Sequence, residues 1–287
     1  MKKADRKSGR YRKTLREQVK ENPRLAATYV ILRVLVVLVL IAQIFNRNFE
    51  NAFLCILTLI LFTIPSFIER TIHIDVPDTL EIIILLFIFA AEILGEIQAY
   101  YVHFPYWDTM LHTLNGFLCA AIGFSLLDIL NRRGSLAFQL SPLYLALVAF
   151  CFSMTIGVLW EFFECTMDQL FLLDMQKDTV VHSIGSVMLD PSGGNTPTAI
   201  QNITDVIVVT ADGTQHSLGL GGYLDIGLLD TMKDLFVNFI GAVVFSIIGY
   251  FYVKNRGQGK FARRFIPQVL PPEEPSSPNV KRKPKNL

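Results

Sequence analysis

Glu161, Glu164 and Asp168 stand at the end of a long apolar run that begins near Pro142. On a helix turning about 100° per residue, the three carboxylates fall within roughly 60° of one another. Acids on one face of an apolar helix are costly unless they are paired, hydrated or bound to a cation. Other apolar stretches end in polar groups of the same kind. Asp108 and His112 are four residues apart and share a face, and Asp230, Asp234 and Asn238 follow the same spacing. Glu92 and Glu96 close a further stretch, one turn apart. Carboxylates with one imidazole suit a hard or borderline divalent cation such as Mg, Mn or Zn. A bound cation can activate water or clamp a phosphate, whereas the same groups without one can relay protons. In a hydrolase or transferase built on this set, Glu164 and Asp234 are the expected ligands, and His112 a ligand or general base. Asp108 and Asp230 also stand where helix N-caps belong. Asn238 and Gly241 suit close helix packing in a bilayer.

The elements that must position these groups are membrane helices. The chain has 287 residues, 52% of them hydrophobic, and a mean hydropathy of +0.42. That composition excludes the soluble enzyme classes. Six apolar stretches approach the length that a spanning helix needs: about 26–45, 52–68, 80–99, 108–130, 142–164 and 229–253. The expected fold class is therefore an all-α polytopic membrane protein of six transmembrane helices, its membrane domain covering 26–253. A basic segment (1–25) precedes it and a basic, Pro-rich tail (254–287) follows. Arg33 interrupts the first span close enough to its edge to reach the headgroups.

Charge sets the expected orientation. Of 26 Lys and Arg, ten lie between Lys2 and Arg24 and nine between Lys254 and Lys285. Six spans put both basic ends on one side, which the positive-inside rule makes cytoplasmic. The 174–227 segment then lies outside, and Lys177 is its only Lys or Arg. Within it, Asp205–Leu218 reads as a β-hairpin turning at Asp212-Gly213. All the acidic sets listed above then gather toward the outer leaflet. The expected site is Asp108, His112, Glu161, Glu164, Asp168, Asp230 and Asp234, with a divalent cation as cofactor. The lipid bilayer is the expected surrounding. Basic tails without an accompanying DNA- or RNA-binding signature do not point to nucleic acid. Cys55, Cys119, Cys151 and Cys165 have no metal-type spacing.

Several motifs carry a resemblance. Trp107-Asp108-Thr109-Met110-Leu111-His112 with Asn115-Gly116-Phe117, then Trp160-Glu161-Phe162-Phe163-Glu164, then Asp230-Thr231-Met232-Lys233-Asp234 with Gly241-Ala242, resembles the YjdF-type family of bacterial membrane proteins. The likeness runs from about Leu80 to Tyr252. A more distant similarity is to VanZ-like proteins, which share an Asp-x-x-x-His helix opening, an acidic helix end and an Asp-rich start to a later helix. The arginine that precedes the last acidic helix in VanZ-like proteins has no counterpart here. These resemblances imply a multi-pass protein of the bacterial cell membrane and, through the VanZ-like one, a role at the cell envelope with a cell-envelope lipid or glycan as ligand. They imply no particular reaction. A small ion- or proton-coupled transporter that also uses Glu92 and Glu96 is the first alternative, and a non-catalytic membrane scaffold the second.

Overall fold

A computed structural model describes residues 22–72, 74–133, 140–255 and 259–269. The basic segment before residue 22 and most of the Pro-rich tail lie outside the described residues. The described chain is mostly helical and forms two units, one of residues 1–93 with 263–287, the other of residues 94–262.

In the first unit, α1 (Pro23–Phe45) starts with proline in its first turn, where no amide donor is needed. α2 (Phe49–Leu61) is capped by the Asn48 side chain, which accepts from the Asn51 amide at 3.1 Å. α3 (Ile64–Ile72) continues after a short turn, and β1 (Ile74–Asp75) and α4 (Asp78–Phe89) follow. Leu32, Val36, Cys55, Leu80 and Leu85 form this unit's core. The Tyr29 hydroxyl donates to buried Glu81 at 2.7 Å. Arg33 lays its guanidinium over the Tyr29 ring, 5.0 Å from the centroid, so the first span's charge rests on an aromatic face.

The sequence predicts one regular helix over 80–99, but α4 stops at Phe89 and Ala90–Ile97 is π-helical. Among the described residues, five helical stretches are long and apolar enough to cross a membrane: Pro23–Phe45, Phe49–Glu69, Trp107–Asp128, Pro142–Phe171 and Leu228–Lys254. Their outward side chains fit lipid better than water. Val30, Ile31, Val34 and Leu38 of α1 are all more than half exposed, a stripe that water would penalise.

In the second unit, a one-turn helix, α5 (Tyr100–His103), lies in an aromatic stretch after the π-helical turn. Tyr100 packs on Phe104 and Trp107 with ring centroids 4.6 and 4.8 Å apart. Three long helices follow: α6 (Trp107–Arg133), α7 (Pro142–Phe171) and α8 (Leu228–Lys254). α7 outruns its expected end by two turns. α6 and α8 run parallel, with Thr113 beside Gly241, Phe117 against Phe245 and Phe124 against Tyr252; α7 runs the other way.

Glycine permits this close approach. A Cβ on Gly116 would meet the Asn238 carbonyl oxygen at 2.1 Å, and one on Gly241 would meet that of Thr113 at 2.1 Å. Polar groups then lock the crossing: Ser153 Oγ donates to the Gly116 carbonyl at 2.7 Å, and Asn115 Nδ2 to Asn238 Oδ1 at 3.2 Å.

Between α7 and α8 the chain forms two-stranded antiparallel pairs. β2 (Val180–Val181) pairs with β7 (Tyr223–Leu224), β3 (Ser183–Ser186) with β4 (Thr198–Gln201), and β5 (Ile207–Val209) with β6 (Gln215–Ser217). The β5–β6 turn holds Asp212-Gly213, with Gly213 at φ 83°, where a side chain would be strained. Asp212 accepts from the Thr210 hydroxyl at 2.5 Å and the Thr214 amide at 3.0 Å. In the first unit, β8 (Gln268–Val269) pairs with β1.

Candidate functional site

The ends of the three long helices in the second unit bring the acids together. Asp108 and His112 come from the first two turns of α6, Glu161 and Glu164 from the last third of α7, and Asp230, Lys233 and Asp234 from the start of α8. His112, Glu161, Glu164, Asp230 and Asp234 are buried, Asp234 to 1% exposure.

The His112 ring lies between two carboxylates. Its Nε2 is 3.4 Å from Asp108 Oδ1 and its Nδ1 is 3.8 Å from Glu161 Oε1. Asp108, His112 and Asp234 each offer a ligand atom within 4.8 Å of the others, and so do His112, Glu161 and Glu164. His112 thus joins two halves of one cluster. Glu164 Oε1 accepts from the Trp160 indole at 2.8 Å, a bond along one turn that orients the carboxylate.

The α8 half carries its own cation. Lys233 Nζ is 2.5 Å from Asp230 Oδ1, 3.5 Å from Asp108 Oδ2 and 3.6 Å from Asp234 Oδ1. Sequence reasoning missed Lys233 as a member, although its position between Asp230 and Asp234 was a signal. A lysine one turn after an acid, and beside a second, can reach both.

Two expected members have other work. Asp168 lies on the same face of α7, but its oxygens accept the Met175 amide at 2.7 Å and the Gln176 amide at 2.8 Å. It ties down the chain leaving α7 and belongs to neither metal-type group. Asp230 is not the cap of α8: it accepts the Lys177 amide at 2.8 Å as well as Lys233. Gly227 holds the cap position, and Asp225 from just outside the helix accepts the Leu229 amide at 2.9 Å, while its other oxygen takes the Thr179 amide at 2.7 Å. The 175–179 segment is therefore pinned across the start of α8, and the Gln176 amide group donates to Thr231. Gly227, at φ 77°, leaves space there; a Cβ on it would lie 2.6 Å from Gln176 Cβ.

Four carboxylate oxygens of the cluster are buried with no hydrogen-bond partner: both of Glu161, Asp108 Oδ2 and Asp234 Oδ1. Buried polar atoms are nearly always satisfied, so such a concentration in one cluster is unusual. The indole nitrogen of Trp107, next to Asp108, is likewise buried and unpaired. Glu92 is on the π-helical turn and in the first unit, and neither metal-type group contains it or Glu96.

No curated protein and no solved structure matches this chain. A family model described as "Predicted membrane protein (DUF2238)" matches residues 27–255, which takes in α6, α7, α8 and every residue of the cluster, and the chain belongs to that family.

Proposed function

We propose that the Asp108–His112–Glu161–Glu164–Asp230–Asp234 cluster is an outer-leaflet site of a bacterial plasma-membrane protein, and that it binds a divalent cation together with an anionic cell-envelope lipid or glycan. The observation that carries this reading is the set of buried carboxylate oxygens without hydrogen-bond partners. Five carboxylates converge on one lysine and one histidine, so the acids outnumber the basic groups that could balance them. A divalent cation supplies the missing charge, and the unpaired Trp107 indole offers a donor to an anionic ligand beside it. The VanZ-like resemblance runs through these same residues and supports an envelope ligand. In this reading both termini are cytoplasmic, Asp78–Ile97 makes a sixth crossing, and residues 174–227 face outward.

Metal content of gently purified protein tests the site. The wild type should carry Mn or Zn in about one equivalent, and a Glu164→Gln, Asp234→Asn double variant should carry none. Equal metal in both would remove the cluster from consideration.

One observation favours an ion-coupled transporter instead: Glu92 and Glu96 both lie on a π-helical turn, a geometry often retained at working sites. That alternative requires substrate-dependent proton movement in proteoliposomes, abolished by Glu96→Gln. Metal-dependent ligand binding without proton flux would count against it.

A further inference from the structure

The cluster's two halves are not equivalent, and the difference specifies where a cation goes. The α8 half already holds one: Lys233 Nζ lies within 3.6 Å of Asp108, Asp230 and Asp234. A second cation placed among those carboxylates would sit against an ammonium and be repelled. The α7 half holds none. Glu161 is 4% exposed, neither of its oxygens has a hydrogen-bond partner, and Oε1 faces His112 Nδ1 at 3.8 Å. A ring nitrogen and a carboxylate oxygen both present lone pairs unless a proton or a metal stands between them.

We propose, building on the cation-site reading above, that the metal is held by His112 Nδ1, Glu161 and Glu164, and that Lys233 permanently occupies the Asp108–Asp230–Asp234 half as a built-in counter-ion.

The geometry around His112 has the form that metal-binding histidines take. Nε2 faces Asp108 Oδ1 at 3.4 Å, so this nitrogen carries the proton toward the carboxylate and Nδ1 is left as the donor to a metal. Asp108 is then a positioning residue for the imidazole, as the Trp160 indole is for Glu164. Lys233 in turn steadies Asp108, which links the two halves. One imidazole and two carboxylates make a mixed nitrogen–oxygen set, which selects Mn(II) or Zn(II) over Mg(II). Three protein ligands also leave coordination positions open for a ligand or water.

The test titrates Mn(II) alone into metal-depleted full-length protein in nanodiscs and reads stoichiometry and affinity by electron paramagnetic resonance. The wild type should bind about one Mn(II), with nitrogen hyperfine coupling from a directly bound imidazole. Glu161→Gln should lose affinity by about 100-fold or more, and Trp160→Phe, which keeps the ring but removes the donor to Glu164, by about 10-fold. Lys233→Met should raise the stoichiometry toward two, because the α8 half then lacks its cation. If Mn(II) binds the wild type but Asp234→Asn abolishes it while Glu161→Gln does not, the assignment to the α7 half is wrong and the broader reading stands. Bound Mn(II) without nitrogen coupling overturns His112 as a ligand whether or not the variants fold. Unchanged stoichiometry in Lys233→Met overturns the counter-ion role. A wild type that takes up no Mn(II) removes both the inference and the cation-site reading.

Discussion

Glu161 and Asp225 illustrate how differently two carboxylates of one unit are used. Both Asp225 oxygens accept backbone amides, one from Leu229 at the start of α8 and one from Thr179 in the segment pinned beside it. Asp225→Ala should therefore cost about 0.5–2 kcal/mol in a reversible unfolding measurement, as the loss of a helix cap does. Glu161 has no such bonds. A buried carboxylate without hydrogen-bond partners contributes nothing to folding that an amide of the same shape cannot supply. Glu161→Gln should leave the metal-free protein as stable as the wild type or more so, measured by thermal unfolding after metal removal. A clear destabilisation of the metal-free variant would mean that Glu161 has a structural role.

At the scale of elements, the α6–α8 crossing depends on the absence of side chains. Gly241→Ala puts a methyl group about 2.1 Å from the Thr113 carbonyl oxygen, and backbone on that side cannot yield as a flexible side chain would. The expected cost is about 1–3 kcal/mol or a shifted crossing, read as a lower melting temperature and weaker metal binding together. Gly185→Ala has nothing within 4 Å and is the matched control. The β5–β6 hairpin responds to pH instead. The Thr210 hydroxyl, then the Thr214 amide, hold the Asp212 carboxyl down to about 2. The Ser217 hydroxyl lowers Asp205 in the same way, and the Ser192 side chain and amide lower Asp190. A carboxyl depressed on folding stabilises the folded form above its unfolded pKa, near 4, and that contribution is lost as pH falls toward 2. Amide protection factors in β5 and β6 should hold from pH 7 to about pH 5 and fall below pH 4. Protection that is flat to pH 2 would show that these bonds do not hold the hairpin.

For the whole molecule, the number of crossings determines which side each end occupies. Five crossing helices would put Asn22 and Asn255 on opposite sides, whereas a sixth crossing by Asp78–Ile97 puts them on the same side. The proposed orientation predicts that Ser192→Cys reacts with an impermeant maleimide on intact cells. Asn22→Cys and Asn255→Cys should react only after permeabilisation. The background needs Cys55, Cys119, Cys151 and Cys165 replaced by serine. Labelling of Asn22→Cys and Asn255→Cys from opposite sides would remove the sixth crossing.

The sequence by itself determined what is local. Apolar length announced α1, α6, α7 and α8, a 3.6-residue period put Glu161, Glu164 and Asp168 on one face, and Asp212-Gly213 marked a turn. Each of these follows from backbone geometry within one element. The tertiary structure decided which acids meet. Whether Asp168 joins Glu161 or turns to the 175–176 amides depends on the path of the chain after α7. The reach of Lys233 to Asp108 depends on how closely α6 and α8 approach, which Gly116 and Gly241 set only in combination. The π-helical turn at Ala90–Ile97 has no such local signal, because Glu92 and Glu96 are one turn apart on a regular helix as well. Periodicity assigns a residue to a face of its own helix; the neighbour that face meets is settled by packing between helices far apart in sequence.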